Sequence, residues 1–133
     1  MKVLEIEGVG TRYAEKLVAA GITTDAELLE RGHTRKGRAD IAETTGVSEK
    51  SVLEWVNHAD LMRIKGIGPE YADLLEEAGV DTVPELARRN AANLYETVMT
   101  TVAAKGLVRR PPSEGMIAGW VVEAATLGRT IEY

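Results

Sequence analysis

The stretch IKGIGPEYADLLEEAGVDTVPELA, Ile64 to Ala87, has a near-copy at Ile6 to Leu29, IEGVGTRYAEKLVAAGITTDAELL, displaced by a constant 58 positions. Gly8 and Gly10 recur as Gly66 and Gly68, Tyr13-Ala14 as Tyr71-Ala72, and Leu17 as Leu75. Gly21 recurs as Gly79, and the pair Thr24 and Glu27 as Thr82 and Glu85. So many matches at one offset point to a duplication, and a duplication governs the fold reading. The chain is read as a single domain, residues 1–133, made of two repeats, 1–60 and 61–133.

Within each copy the apolar positions have helical spacing. Tyr13, Ala14, Leu17 and Ala20, like Tyr71, Ala72, Leu75 and Ala78, fall on one face of a helix. Pro69 stands at a first helical position, where its missing N–H matters least. Gly21 and Gly79 follow as left-handed caps. Thr24-x-x-Glu27 and Thr82-x-x-Glu85 read as capping boxes for a second, shorter helix.

The segments between the copies carry the same periodicity. Val52, Trp55, Val56, Ala59 and Met62 make one stripe, with Ser48 as N-cap. Ile117, Trp120, Val121, Ala124 and Leu127 repeat it after Ser113, so Trp55 and Trp120 are equivalent and read as core residues rather than base-stacking platforms. Asn93–Lys105 reads as a further helix ended by Gly106, and Lys36–Thr45 as its shorter counterpart ended by Gly46. Two short strand candidates remain at the termini, Val3–Ile6 and Arg129–Tyr133. The expectation is an all-α domain with pseudo-twofold symmetry and a short strand pair joining its ends. The first turn lacks a leading helix, so the Trp120 helix is expected to close onto it, in the same chain or in a swapped dimer.

A helix followed by I-x-G-[IV]-G and then by a helix with Tyr-Ala early in it resembles the helix-hairpin-helix motif. Over nearly its whole length the chain resembles the tandem helix-hairpin-helix proteins of bacteria catalogued as a domain of unknown function. The segment GIGPEYADLLEEAGVDTVPELA also resembles the N-terminal helical domain of the archaeal and eukaryotic recombinases. The resemblance implies DNA-backbone contact from the minor-groove side, or protein contacts, since recombinase-type relatives use the fold for both.

The turn has its own physics. Two glycines around one apolar residue permit a tight reversal and leave backbone N–H groups uncovered. The next helix directs its unpaired N–H groups and positive dipole end at the same point, which suits an anion such as a phosphate. The candidate nucleic-acid ligands are therefore Gly8, Val9, Gly10, Gly66, Ile67 and Gly68, helped by Arg12, Lys16, Arg63 and Lys65. Two such turns could meet the two strands of one duplex. In the competing reading the glycines merely allow two helices to cross closely, and the domain is a protein-interaction scaffold.

Charge limits the nucleic-acid reading. The formal net charge is −5, the wrong sign for a protein that works by covering phosphates. Glu5 and Glu7 precede the first turn, and Glu70 and Asp73 follow the second, where DNA-binding relatives carry Lys or Arg. Only weak contact without sequence specificity is expected. The run RGHTRKGR, Arg31 to Arg38, lies between helices and reads as an exposed basic loop, either an electrostatic footprint or a solvated surface. Arg88-Arg89 occupies the corresponding place in the second copy and reads as surface charge or a pair for nearby carboxylates.

Catalysis is not expected. His33 and His58 have no metal-binding spacing, and there is no nucleophile elbow or P-loop. No cofactor or metal is foreseen. With no cysteine, thiol chemistry is excluded and a reducing, cytoplasmic setting is expected. No membrane association is foreseen, and the chain is read as a monomer or a dimer.

Overall fold

Val3, Ile6 and Val9 recur every third residue, and all three are buried. The backbone follows that period: the Ile6 N–H donates to the Val3 carbonyl at 3.1 Å, and the Val9 N–H to the Ile6 carbonyl at 3.2 Å. Two successive three-residue turns thus carry the apolar side chains inward. Leu61, Ile64 and Ile67 do the same, with Ile64 N–H to Leu61 and Ile67 N–H to Ile64, both at 3.1 Å.

The computed structural model describes residues 1–106 and 108–133. Among them the fold is all-helical. A short 3-10 helix, Val3–Glu5, precedes α1 (Gly10–Ala19), α2 (Asp25–Gly32), α3 (Arg35–Thr45) and α4 (Glu49–Leu61). Then come α5 (Pro69–Glu77), α6 (Val83–Ala87), α7 (Ala91–Lys105) and α8 (Glu114–Leu127). The chain divides into two compact units. Met1–Asp60 with Thr130–Tyr133 forms the first, and Leu61–Arg129 forms the second. The last four residues thus belong to the first unit.

The expected strand pair does not form. Val3–Glu5 is a 3-10 helix capped by Glu5, whose carboxylate accepts the Lys2 N–H at 3.0 Å. Residues 129–133 are not a strand, and the one β-bridge among the described residues joins Lys2 to Thr24. Period three, not period two, governs the first segment, so it cannot present one face to a partner strand.

In the first unit α1 packs on the 3-10 helix and on α3, and α2 packs on α3. Leu17, Ile22, Leu28, Val52 and Val56 are completely buried. The C-terminal residues complete this core: Ile131 is buried, and the Glu132 N–H donates to the His33 carbonyl at 2.7 Å. Arg38 holds them. Only 5% exposed, it donates to the Gly32 carbonyl at 2.9 Å and to the Glu132 carbonyl at 2.8 Å, and its guanidinium lies over the Tyr133 ring. The run Arg31–Arg38 is therefore no loop. It is the corner between α2 and α3, with Thr34 capping α3, and its last arginine is a buried clamp.

In the second unit α8 packs on α6 and α7, and α5 on α7. Trp120, Ile117 and Ala124 face this core, together with Leu75, Val80, Leu86 and Leu94. The Trp120 helix thus belongs to the unit that holds the second turn. The expectation that it closes onto the first turn is overturned.

Most cap predictions hold. Gly21, Gly46, Gly79 and Gly106 have positive φ, and Ser48 and Ser113 accept N–H groups in the first turns of their helices, as does Asn90, which the sequence reading does not mark. The Thr24–Glu27 capping box is complete. Its counterpart is not, because Thr82 is buried and makes no side-chain cap, while Glu85 accepts the Asp81 N–H instead.

Candidate functional site

Each first glycine of the two Gly-x-Gly turns lies under a tryptophan. A Cβ added to Gly8 would meet Trp55 Nε1 at 3.6 Å, and one added to Gly66 would meet Trp120 Nε1 at 3.3 Å. Both glycines have φ near +90°, at 89° and 92°, a region that L side chains avoid. Each Trp also carries a tyrosine: Tyr13 on Trp55 with ring centroids 5.5 Å apart, and Tyr71 on Trp120 at 5.2 Å. The first unit's turn is therefore braced by α4, and the second's by α8.

The second glycines face open space, with nothing within 4 Å of an added Cβ at Gly10 or Gly68. Their backbones differ. Gly10 is left-handed at φ 67°, whereas Gly68 is extended at φ −100°. Pro69 is the reason, since the ring of a proline pushes the preceding residue toward extended conformations. Gly68 therefore does not share the left-handed backbone of Gly10.

The central residues are spoken for. Val9 and Ile67 are buried, and their N–H groups bond the carbonyls three residues back. The first turns of α1 and α5, by contrast, have no side-chain cap.

The four cations separate into two pairs. In the first unit Arg12 is exposed and enters no hydrogen bond or ion pair among the described residues. Lys16 is half-buried with Nζ 5.9 Å from the Tyr13 ring centroid. In the second unit the Arg63 guanidinium donates to the Leu127 and Gly128 carbonyls at 3.1 and 3.2 Å, capping the end of α8. Lys65 is exposed, but its backbone N–H donates to Glu123 Oε2 at 3.1 Å. A carboxylate of the protein's own α8 already stands beside the second turn.

Arg31 and Arg89 act on neighbouring helix ends. Arg31 donates to the Ala20 carbonyl at 3.4 Å and Arg89 to the Gly79 carbonyl at 2.9 Å. Arg89 is thus a structural cap, bonded to a backbone carbonyl rather than to a carboxylate. Tyr71 donates its hydroxyl to the Arg110 carbonyl at 2.8 Å, and Lys105 pairs with Glu77. Within each unit taken by itself, no three His, Asp or Glu side chains among the described residues converge on one point. No helix among them is long and apolar enough to cross a membrane.

Sequence reasoning missed a concavity of about 430 Å³ in the first unit, between the 3-10 helix and α1, lined by Val3, Leu4, Thr11, Ala14, Val18 and Ala19 with Lys2, Glu15 and Thr23. The signal was present in Leu4 and Val18, which are apolar yet about half exposed at 49% each.

A family model described as a domain of unknown function (DUF4332) matches residues 7–127. A curated protein of Haloarcula marismortui, the poly(3-hydroxyalkanoate) polymerase subunit PhaC, is 44% identical over 43 residues. That match covers 32% of this chain and 9% of the haloarchaeal protein. No solved structure matches the chain.

Proposed function

We propose that this chain, which belongs to the DUF4332 family, is a non-catalytic helix-hairpin-helix module that contacts nucleic-acid backbone weakly and without sequence specificity through its first turn. One contrast carries the reading. The first turn has an uncapped helix start, an exposed left-handed Gly10 and the exposed Arg12, whereas the second faces Glu123 and has its Arg63 bound to α8. A phosphate oxygen at the start of α1 would accept from unpaired N–H groups and meet Arg12 within one turn. A single turn and a net charge of −5 limit this to a salt-sensitive contact.

Titration of labelled duplex DNA tests it. Binding is expected at about 20 mM salt, where screening is weak, and a steep fall is expected as salt rises. The double variant Arg12→Glu, Lys16→Glu should abolish it with the helical signal intact. Absence of binding at low salt overturns the proposal.

A second reading, a protein-interaction or assembly scaffold, is favoured by two observations. The apolar concavity beside α1 is open, and 43 residues of this type occur inside a much longer polymerase subunit. A segment that recurs inside a much longer chain suits a docking role.

A further inference from the structure

Trp55 and Trp120 brace the two turns with their one polar atom foremost. The side chains are only 4% and 5% exposed, and in each the indole Nε1 stands nearest the side-chain position of the first glycine. Neither indole N–H enters a hydrogen bond among the described residues, and neither is sealed from solvent. A buried indole usually gives its N–H to an acceptor, and it has no other polar role. Because Gly8 and Gly66 lack a Cβ, that donor stays uncovered at the turn.

The amide before each glycine sharpens the comparison. In the second unit the Lys65 N–H donates to Glu123, a carboxylate one helical turn beyond Trp120. In the first unit the corresponding amide, 58 positions earlier, belongs to Glu7, and it donates to no group among the described residues. The residue three beyond Trp55 is His58, not a carboxylate. The second unit thus supplies an oxyanion of its own at this amide, and the first does not.

We infer that the Trp55 indole N–H and the Glu7 N–H, together with the first amides of α1, form one oxyanion site that takes a phosphate group of the nucleic-acid backbone. The inference rests on the nucleic-acid reading of that turn. All these donors flank Gly8: Glu7 precedes it, the indole lies against its open side, and α1 starts two residues on without a side-chain cap. Trp55 is held by burial and by the Tyr13 ring, so little ordering remains to be done on binding. Arg12, exposed in the first turn of α1, adds attraction, while the exposed carboxylate of Glu7 opposes it and keeps the contact weak.

Nitrogen-15 NMR of the full chain tests it, with the two indole resonances assigned by Trp55→Phe and Trp120→Phe. At about 20 mM salt, where screening is weak, inorganic phosphate and duplex DNA should each shift the Trp55 indole and the Glu7 amide and leave the Trp120 indole in place. Trp55→Phe keeps an aromatic ring in the core and removes the donor, so it should weaken duplex binding by about tenfold, the effect of one charge-assisted hydrogen bond. Trp120→Phe, a matched change in the other core, should leave binding as it is. Duplex binding with an unmoved Trp55 indole, or with Trp55→Phe as tight as the parent, overturns the inference and leaves the nucleic-acid reading standing. A Trp55 shift with acetate but not with phosphate or duplex also overturns it, since the site would then take carboxylates. A shift with phosphate alone, without duplex binding, overturns the assignment to a backbone phosphate. If neither probe binds, the inference falls together with the reading it rests on.

Discussion

The carboxylate of Glu123 accepts the backbone N–H of Lys65 at 3.1 Å, across 58 residues of sequence. An α8 side chain thereby satisfies an amide beside the second turn and places a negative charge where an external anion would otherwise approach. Under the proposed function, Glu123 keeps the second turn out of use. Glu123→Ala should therefore raise affinity for duplex DNA at low salt, by severalfold for one removed charge. The check is the same titration, with Glu114→Ala as a control of equal charge change at the far end of α8. Equal gains from both variants would show a net-charge effect only.

The glycines should differ in a defined order. Gly66→Ala combines a left-handed φ with a 3.3 Å approach to Trp120, and should lose about 1–2 kcal/mol or more of stability. Gly8→Ala, with Trp55 at 3.6 Å, should lose slightly less. Gly68→Ala has an extended backbone and open space, so it should be neutral or gain up to about 1 kcal/mol by restricting the unfolded chain. Urea denaturation of the three variants measures this. A Gly68→Ala variant as weak as Gly66→Ala would refute the role given to Pro69.

Arg38 makes a separate test. Its two carbonyl contacts are charge-assisted, the one to Gly32 buried and the one to Glu132 partly buried, and such bonds contribute about 1.5–3 kcal/mol each. Arg38→Met keeps an unbranched apolar stem and removes both. The expected result is a destabilised protein whose C-terminal residues are digested faster by carboxypeptidase. Unchanged digestion would mean that Ile131 and the Glu132–His33 backbone bond anchor the tail without Arg38.

Removing α8 distinguishes the observed packing from the closure read in the sequence. Truncation after Pro112 takes away Trp120, Glu123 and the carbonyls that Arg63 caps. Amides of Ala72 to Val80 should lose protection from hydrogen exchange, since their core includes Ile117, Trp120 and Ala124. Retained protection there would contradict the assignment of α8 to the second unit.

The helices and most of their caps were legible because they rest on local rules: a periodic apolar face, Ser, Thr or Asn at the start, Gly past the end. The turns were legible as glycine pairs, but not the reason for each glycine, which lies in Trp55, Trp120 and the ring of Pro69. The strand candidate failed although its contrary signal was printed in the sequence, with Val3, Ile6 and Val9 three apart. Placement of α8 failed for a different reason. Trp55 and Trp120 were recognised as equivalent, yet the first turn was assigned a helix in front of it when the bracing helix comes after it. Arg38 and Glu123 were invisible, since their partners lie 94 and 58 residues away and nothing local marks either residue.

The return of Thr130–Tyr133 to the first unit fixes an order of events during synthesis. Residues 61–129 leave the ribosome after most of the first unit and before its last piece. At about 5–20 residues per second, that interval lasts roughly 3–14 s, far longer than helix formation. Throughout it, the place of Ile131 is unfilled and Arg38 has its Gly32 contact without its Glu132 contact. The first unit is thus begun before the second and completed after it, and its contacts with Ile131 and Glu132 form only once the second unit has been made.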